Sequence, residues 1–370
     1  MDSKGKMIIA ILVAGLLVMT GVFVFFSVIN EPDNYSVSMT DALGRKVNIT
    51  AEPQRIVSCT PETTELLFAI GAGDRVVGVT DYCDYPPEMV AKRYDPVDNP
   101  NGTIRSVGGW FPPEIKDIVN LTADLVIMRK YSDSPDPFVF QLEANNINAL
   151  VLYGGDNFEE VYKNIGLLGT ALKMEDKTDS MIQEMKDEIA TIHNIAVQST
   201  EKPRVLFLIT DPWGDWTVGN KTFINSIIDA AGGENIFNDV TDQSWFMPEM
   251  KDILLREPDV IIATSNSLLV TPEEYISDLE NNTEWQLVPA VANHQVFVVH
   301  GQGENIFVRQ SVRLTDATEI LAKILHPAEF DVNLPHVIGD EYEEYLTPDS
   351  TDSNLSFRSS SFVGAIPVRE

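Results

Sequence analysis

The chain has 370 residues, of which 44% are hydrophobic, and a formal net charge of −30 at pH 7. This length suggests two folded units and argues against one compact core. The strong negative charge argues against nucleic acid as a partner, because phosphate binding requires a basic surface. Cys59 and Cys83 have no CxxC or Cys/His spacing, which argues against a structural zinc site. Whether these two thiols form a disulfide stays open.

The chain begins with an apolar segment. Residues 7–29 are almost wholly apolar and follow Lys4 and Lys6. About 20 apolar residues span a bilayer, and flanking positive charge stays cytoplasmic. We therefore expect residues 1–30 to be a membrane anchor or signal, with the body outside the cytoplasm. The stretch exceeds the ~7–15-residue core of a cleavable signal, which favours an uncleaved anchor. No cysteine follows it, which argues against a lipoprotein anchor.

The sequons agree with an exported body. Seven Asn-x-Ser/Thr sequences occur, and a used sequon must lie on the surface of an exported protein. Which of them carry a glycan stays open. They are at Asn34, Asn48, Asn101, Asn120, Asn220, Asn281 and Asn354.

The body alternates predicted strands with predicted helices, which is typical of an α/β protein with mainly parallel sheets. We divide it into a linker with short strands (31–53), an N-terminal lobe (54–156), connecting helices (157–202), a C-terminal lobe (203–327) and a polar tail (328–370). The tail is Ser/Asp-rich and without a period, which predicts disorder.

One long helix is predicted between the lobes. Residues 175–198 contain no Pro or Gly and are rich in Met, Glu, Lys, Asp and Ala. About 24 residues at ~1.5 Å each span roughly 36 Å, which is enough to join two lobes. A single helical link resists wide hinge motion, so we expect only small closure when a ligand binds.

A direct repeat relates the two lobes. Residues 110–128 read WFPPEIKDIVNLTADLVIM, and residues 245–263 read WFMPEMKDILLREPDVIIA, without a gap. Trp, Phe, Pro, Glu, Lys, Asp and Ile recur in register, followed by Asp and Ile at the strand. The match indicates that the lobes are copies of one design, with equivalent loops facing each other across a pseudo-twofold axis.

Four segments carry a family resemblance, in order between Asp41 and Pro327: RIVSCTPETTELLFAIGAGDRVVGVTDYCDYPPE, VGGWFPPE, AGGENIF and PDVIIA. They resemble the ABC-importer binding proteins that carry cobalamin, ferric siderophores and haem. The resemblance implies two Rossmann-like lobes joined by one long helix, the class III periplasmic-binding-protein fold. It also implies a ligand cleft at the C-terminal ends of the strands, as is general for open α/β sheets.

The function implied by the resemblance is delivery of a metal chelate to a membrane permease dimer with a cytoplasmic ATPase. A monomer without a cofactor is expected. In this family an acidic residue on each lobe docks to arginines of the two permease subunits, and the matching residues are Glu114 and Glu249. Each follows a proline at a predicted helix start, where an exposed carboxylate can take a bidentate arginine contact. Helix-dipole stabilisation of ~0.3–1 kcal/mol is the alternative role.

Aromatic residues dominate the predicted ligand site. Trp110 and Trp245 open the repeated loops and should flank the cleft mouth, where macrocycles, corrins and catechols pack on such rings. Trp213 and Trp216 lie in a Gly-containing loop after the first strand of the second lobe. Packing within each lobe is the structural alternative for all four.

Two tyrosines and an arginine complete the predicted ligand site. Tyr82 and Tyr85 follow a strand end, where a tyrosine can stack on a ligand or bind ferric iron, or can be purely structural. Arg309 follows the last predicted strand and matches a family position that meets anionic ligand groups, which arginine pairs with bidentately. Arg313 is farther along a predicted helix and is expected to be structural.

Other functions are disfavoured by missing motifs. The five histidines form no HxH or i,i+4 pair, which argues against capture of a bare metal ion. The sequence has no P-loop, nucleophile elbow or HExxH, which argues against an enzyme on a two-lobed α/β scaffold. A corrinoid and a ferric siderophore both stay open as ligands, with haem or an oxyanion as alternatives.

Overall fold

The computed structural model describes residues 35–109, 112–131, 137–211, 214–265 and 270–348. They form a short antiparallel hairpin and two α/β lobes, each built on one sheet. The hairpin pairs β1 (Val37–Thr40) with β2 (Lys46–Ile49). Alternate residues of each strand are buried, as the two-residue period of a strand requires, and they pack on the core of the first lobe.

The first lobe contains a five-stranded parallel sheet. Its strands are β3 (Ile56–Ser58), β4 (Val76–Val79), β5 (Arg105–Ser106), β6 (Leu125–Arg129) and β7 (Asn148–Leu152). Their order is β5-β4-β3-β6-β7. The central strands are almost wholly apolar because helices cover both faces of a parallel sheet. The helices of this lobe are Pro61–Ala69, Gly73–Arg75 (3-10), Pro87–Lys92, Ile115–Asn120 and Pro137–Ala144.

The second lobe is built on a seven-stranded mixed sheet. Its strands are β8 (Arg204–Asp211), β9 (Gly214–Val218), β10 (Glu234–Asn235), β11 (Trp245–Phe246), β12 (Val260–Thr264), β13 (Val296–Val299) and β14 (Val337–Ile338). The order is β11-β9-β8-β12-β13-β14, and β10 pairs with the start of β8. The pairs β8–β9 and β9–β11 are antiparallel, and the other pairs of this sheet are parallel. The helices are Phe223–Ala230, Met250–Arg256, Pro272–Asn281, Trp285–Leu287 (3-10), Pro289–Ala292, Gly301–Val308, Leu314–Leu325 and Asp340–Tyr345 (3-10).

Two packed helices hold the lobes together. After the helix Phe158–Leu172, the linking helix Glu175–Ala196 runs for 22 residues, or roughly 33 Å. Its first half packs in the core of the first lobe, and its end packs in the core of the second. The helix Leu314–Leu325 lies against the linking helix and also contributes to both cores. Leu314 is part of the core of the first lobe, and Ile320 is part of the core of the second. The predicted single link is therefore reinforced by a second helix.

Residues 328–348 are ordered, although the polar tail was predicted to be disordered from residue 328. Residues 328–348 are part of the second lobe, because β14 pairs in parallel with β13 and Tyr342 is 1% exposed. The Lys323 ammonium also donates to the Tyr345 carbonyl at 2.7 Å. The polar composition hid this packing, since Ile338 and Tyr342 are the hydrophobic residues of this segment that are fully buried. The prediction for 349–370 lies outside the described residues.

Candidate functional site

The carboxyl ends of strands from both sheets meet between the lobes. In the first lobe, β3 leads into the helix Pro61–Ala69, which begins there because the Thr60 hydroxyl accepts the Thr63 N–H at 3.4 Å. In the second lobe, β13 leads into the helix Gly301–Val308. Side chains on and just after that helix bond to residues that follow β3 and β4. The edge predicted to hold the ligand is thus the edge at which the lobes face each other.

An ion-pair network crosses this interface. Arg309 donates through Nη1 to Glu65 Oε1 at 2.9 Å and to Asp84 Oδ1 at 2.5 Å. Arg313 donates to both oxygens of Glu65, at 2.9 and 2.5 Å. Burial lowers the pKa of Arg309, but the hydrogen bond to Asp84 and the charge of Glu65 outweigh it and leave that pKa raised. The predicted ligand contact Arg309 is therefore already paired with two carboxylates, and Arg313 has the structural role expected of it.

The two predicted tyrosines occupy different environments. Tyr82 is 54% exposed in the loop after β4. Tyr85 is half-buried, and the Arg313 guanidinium lies 3.9 Å from its ring centroid. Tyr82 is available to a ligand, whereas Tyr85 packs against the interlobe network.

Two of the predicted tryptophans share one face of the sheet edge. Trp245 on β11 pairs directly with Val218 on β9, and Trp216 precedes Val218 by two residues. Side chains two residues apart point to the same face, so Trp216 and Trp245 are diagonal neighbours within reach of each other. Trp245 is 41% exposed and Trp216 is half-buried. Trp110 and Trp213 lie outside the described residues, so their predicted roles stay predictions.

Sequence reasoning missed a charged cluster at the ends of β3 and β6. Glu62 is buried, and its Oε1 lies 3.5 Å from Arg129 Nη1. The Arg129 guanidinium is 5.0 Å from the Tyr131 ring centroid, and partial burial raises the pKa of Tyr131 to about 12. An Arg and a Tyr directly after an apolar strand were the available signal. Tyr131 is 40% exposed and therefore joins Tyr82 as an accessible tyrosine on the first lobe.

The two cysteines are free thiols within the first lobe. Both are fully buried, and they are not bonded to each other. Burial raises the pKa of Cys59, so this group stays a thiol. The Cys83 sulfur lies 3.2 Å from Thr64 Oγ1 and 3.3 Å from Thr80 Oγ1. The disulfide that the sequence left open is absent.

A small, mainly apolar pocket that contains one carboxylate adjoins the repeated loop of the second lobe. Its volume is about 240 Å³, and Asp215, Met247, Pro248 and Trp285 are among its lining residues. Burial, and then the nearby charge of Asp211, raises the pKa of Asp215. A carboxylate therefore stands partly desolvated beside the loop that leads to Glu249.

Both predicted docking carboxylates are exposed at equivalent helix starts. Glu114 precedes the helix Ile115–Asn120, and Glu249 precedes the helix Met250–Arg256. Their side chains are 64% and 68% exposed, and neither accepts a hydrogen bond from the first turn of its helix. The two glutamates are therefore accessible to a partner and are not used as helix caps.

Two further properties concern metals and membranes. Within the described ranges, no three His, Cys, Asp or Glu residues are grouped so that they could hold a metal ion. None of the helices in the same ranges is long and apolar enough to cross a bilayer. The predicted anchor, residues 7–29, lies outside those ranges.

Comparison with known proteins decides the family. The family model described as "Periplasmic binding protein" matches residues 56–302, which is more than half of the chain. The chain belongs to this family. This periplasmic binding protein is 29% identical over 299 residues to the ABC transporter substrate-binding lipoprotein YvrC of Bacillus subtilis, covering 80% of the chain and 87% of that relative.

Two other proteins are also similar to this periplasmic binding protein, one in sequence and one in fold. It is 25% identical over 273 residues to a cobalamin-binding protein of Halobacterium salinarum, covering 70% of the chain and 69% of that protein. Its fold matches the periplasmic heme-binding protein RhuT from Roseiflexus sp. RS-1 with a TM-score of 0.62 at 22% identity, covering 75% and 99% of the two chains. The two-lobed fold and the membership expected from the resemblance are therefore confirmed.

Proposed function

We propose that this chain is the extracytoplasmic substrate-binding component of an ABC importer and that its ligand is a metal chelate held between the lobes. Family membership and the relatives named for cobalamin and haem support this function. The observation that carries the ligand class is the pair Trp216 and Trp245 on one sheet face near the carboxyl end of β8. Two neighbouring indoles favour a large, flat ligand, whether corrinoid, ferric siderophore or haem.

The polar part of the cleft fits a ligand that carries anionic groups. Asp84 is the most accessible member of the Arg309 network, with 48% of its side chain exposed, whereas Glu65 is buried. A ligand carboxylate or phosphate replaces Asp84 on Arg309, while Glu65 keeps the guanidinium in place. Tyr82, and Trp110 and Trp213 beyond the described ranges, complete the aromatic wall in this proposal. Tyr85 packs against Arg313 of this network.

Delivery uses the two exposed glutamates. Glu114 and Glu249 each take an arginine of one permease subunit, and the cytoplasmic ATPase drives transport. Residues 7–29 anchor the monomeric protein to the membrane. Relatives named as binding proteins of transporters support a protein that binds its ligand without turning it over.

Ligand titrations test the proposal. The purified full chain in detergent is titrated with cyanocobalamin, ferrichrome and haemin while tryptophan fluorescence is recorded. At least one chelate should quench saturably, and Trp245→Ala should weaken it at least tenfold, about 1.4 kcal/mol, because an aromatic contact and its buried area are lost. Leu287→Ala removes another exposed apolar side chain and is the control. Binding of molybdate in place of all three chelates would contradict the ligand class.

A further inference from the structure

A lysine accompanies each docking glutamate. Lys116 and Lys251 occupy the second position of their helices, at the same place in the repeat as each other. Their side chains are 73% and 68% exposed. The ammonium lies 3.9 Å from Glu114 Oε2 in the first lobe and 2.6 Å from Glu249 Oε2 in the second. Each lobe thus presents one carboxylate and one ammonium side by side.

Local stability does not account for these lysines. The amino end of a helix carries positive partial charge, which favours acidic side chains and disfavours ammonium groups. Asp117 and Asp252, in the first turn of the same helices, follow this rule, whereas Lys116 and Lys251 break it. Both helices therefore place an ammonium where the helix dipole disfavours it, at the same position of the repeat. Local rules are most often broken at functional sites.

Burial does not account for them either. More than two thirds of each lysine side chain is exposed, and each ammonium pairs with the neighbouring glutamate. An exposed ion pair contributes little to stability, because solvent screens it. The shared feature of the two helix starts is therefore a surface pattern of charge.

We propose that Lys116 and Lys251 dock to the permease together with Glu114 and Glu249, so that each permease subunit presents a cation and a carboxylate. This inference rests on the proposed importer function. On association the internal Glu–Lys pair of each lobe opens, and two intermolecular pairs replace it. With a net charge of −30, the chain repels acidic partner surfaces in general, and the lysines supply the local positive charge that admits a carboxylate. Such a charge pattern fixes orientation as well as affinity.

A docking measurement on lysine variants tests the inference. The full-length double variant Lys116→Gln with Lys251→Gln is compared with the unaltered chain for binding to the cognate permease–ATPase complex in nanodiscs, without ligand. We expect docking at least tenfold weaker and a smaller dependence on salt concentration. If the lysines only screen the glutamates, removing them frees both carboxylates, and unchanged or tighter docking overturns the proposal. The control is Lys46→Gln with Lys177→Gln, which alters two exposed lysines outside the repeats.

Two further readouts separate the possible failures. The lysine variant should keep the thermal midpoint and the chelate affinity of the unaltered chain, because neither lysine contacts a core or the cleft. Failure of the unaltered chain to bind any chelate would count against the proposed ligand and leave the docking comparison decisive for the lysines. Weak docking of Glu114→Gln with Glu249→Gln beside normal docking of the lysine variant would retain the glutamates and reject the lysines.

Discussion

Glu65 connects the lobes through one carboxylate. It is 2% exposed and accepts hydrogen bonds from Arg309 and from Arg313, whose guanidinium is almost as deeply buried. A buried carboxylate between two guanidinium groups is stable only while all partners are present, because each charge has lost its water. Asp84, by contrast, is exposed enough for water to replace its contact with Arg309.

Neutralising Glu65 should therefore destabilise the whole protein. Glu65→Gln removes the carboxylate that Arg313 pairs with and leaves Arg309 with Asp84 alone, and breaking such a buried pair costs about 3–5 kcal/mol. Asp84→Asn, its partly exposed neighbour, should cost less than about 1 kcal/mol. Urea unfolding followed by circular dichroism measures both free energies. Equal, small losses for the two variants would show that the arginines find other partners or water.

Asp215 should make stability depend on pH. Burial and the charge of Asp211 raise its pKa in the folded protein. The unfolded chain then loses this proton first, near the ordinary Asp value of about 3.9, so ionisation destabilises the fold as pH rises from about 4 through the raised pKa.

Asp215→Asn should accordingly raise the urea midpoint at pH 7 and lose this advantage near pH 3. Asp278→Asn, on the exposed side of the helix Pro272–Asn281, is the matched control and should show no such difference between the two pH values. An Asp215→Asn advantage that persists at pH 3 would point to a cause other than ionisation.

Among the secondary-structure elements, β14 shows how a short strand stabilises a polar tail. It contributes two residues to the edge of the sheet beside β13, and Tyr342 follows it into the core of the second lobe. Asp340 Oδ1 also accepts the Gln302 N–H at 2.8 Å, at the start of the helix that carries residues of the interface. The tail therefore bonds to the start of the helix Gly301–Val308, which carries residues of the interlobe interface.

Removing this element should lower stability. A chain ending at residue 327 loses β14 and leaves the pocket of Tyr342 empty, and loss of a large buried aromatic side chain typically costs about 3–5 kcal/mol. A chain ending at residue 348 keeps every contact described and is the control. Thermal unfolding of the two truncated chains measures the difference, and identical midpoints would contradict the role of β14.

The sequence was most informative where signals are local. The repeat predicted the helix starts that carry Glu114 and Glu249, because a proline, the glutamate and a short apolar run lie within a few residues. It could not predict the Arg309–Glu65 pair, since the partners are 244 residues apart and only tertiary packing joins them. The neighbourhood of Trp216 and Trp245 likewise depends on the register of β9 and β11, which no local pattern specifies.

At the scale of the whole molecule, the lobes are fixed to each other at two places. The linking helix and the helix Leu314–Leu325 each place residues in both cores, and the Glu65 network joins the lobes at the cleft. Wide opening would have to break these contacts together. Small closure was predicted from one helical link. The second helix and the Glu65 network give two further reasons to expect it.

Distance measurements can test this rigidity. Spin labels on Val97→Cys and Leu255→Cys lie on different lobes at sites that are 82% and 79% exposed. Pulsed electron resonance should give only a small shift between the distance distributions with and without saturating ligand, and a large shift would contradict the prediction. Val97→Cys with Phe140→Cys places both labels on the first lobe and serves as the control. A ligand-dependent shift in the first pair alone would reveal domain closure.

The packing of Val312 and Leu314 has a consequence for biosynthesis. These residues complete the core of the first lobe, although more than 300 residues precede them in the chain. During synthesis, the amino-terminal lobe emerges first but lacks part of its interior until these residues follow. Domains usually fold in the order in which they emerge, and exposed apolar surface invites aggregation. We therefore expect the nascent amino-terminal lobe to expose apolar surface until the helix that follows Val312 has been made.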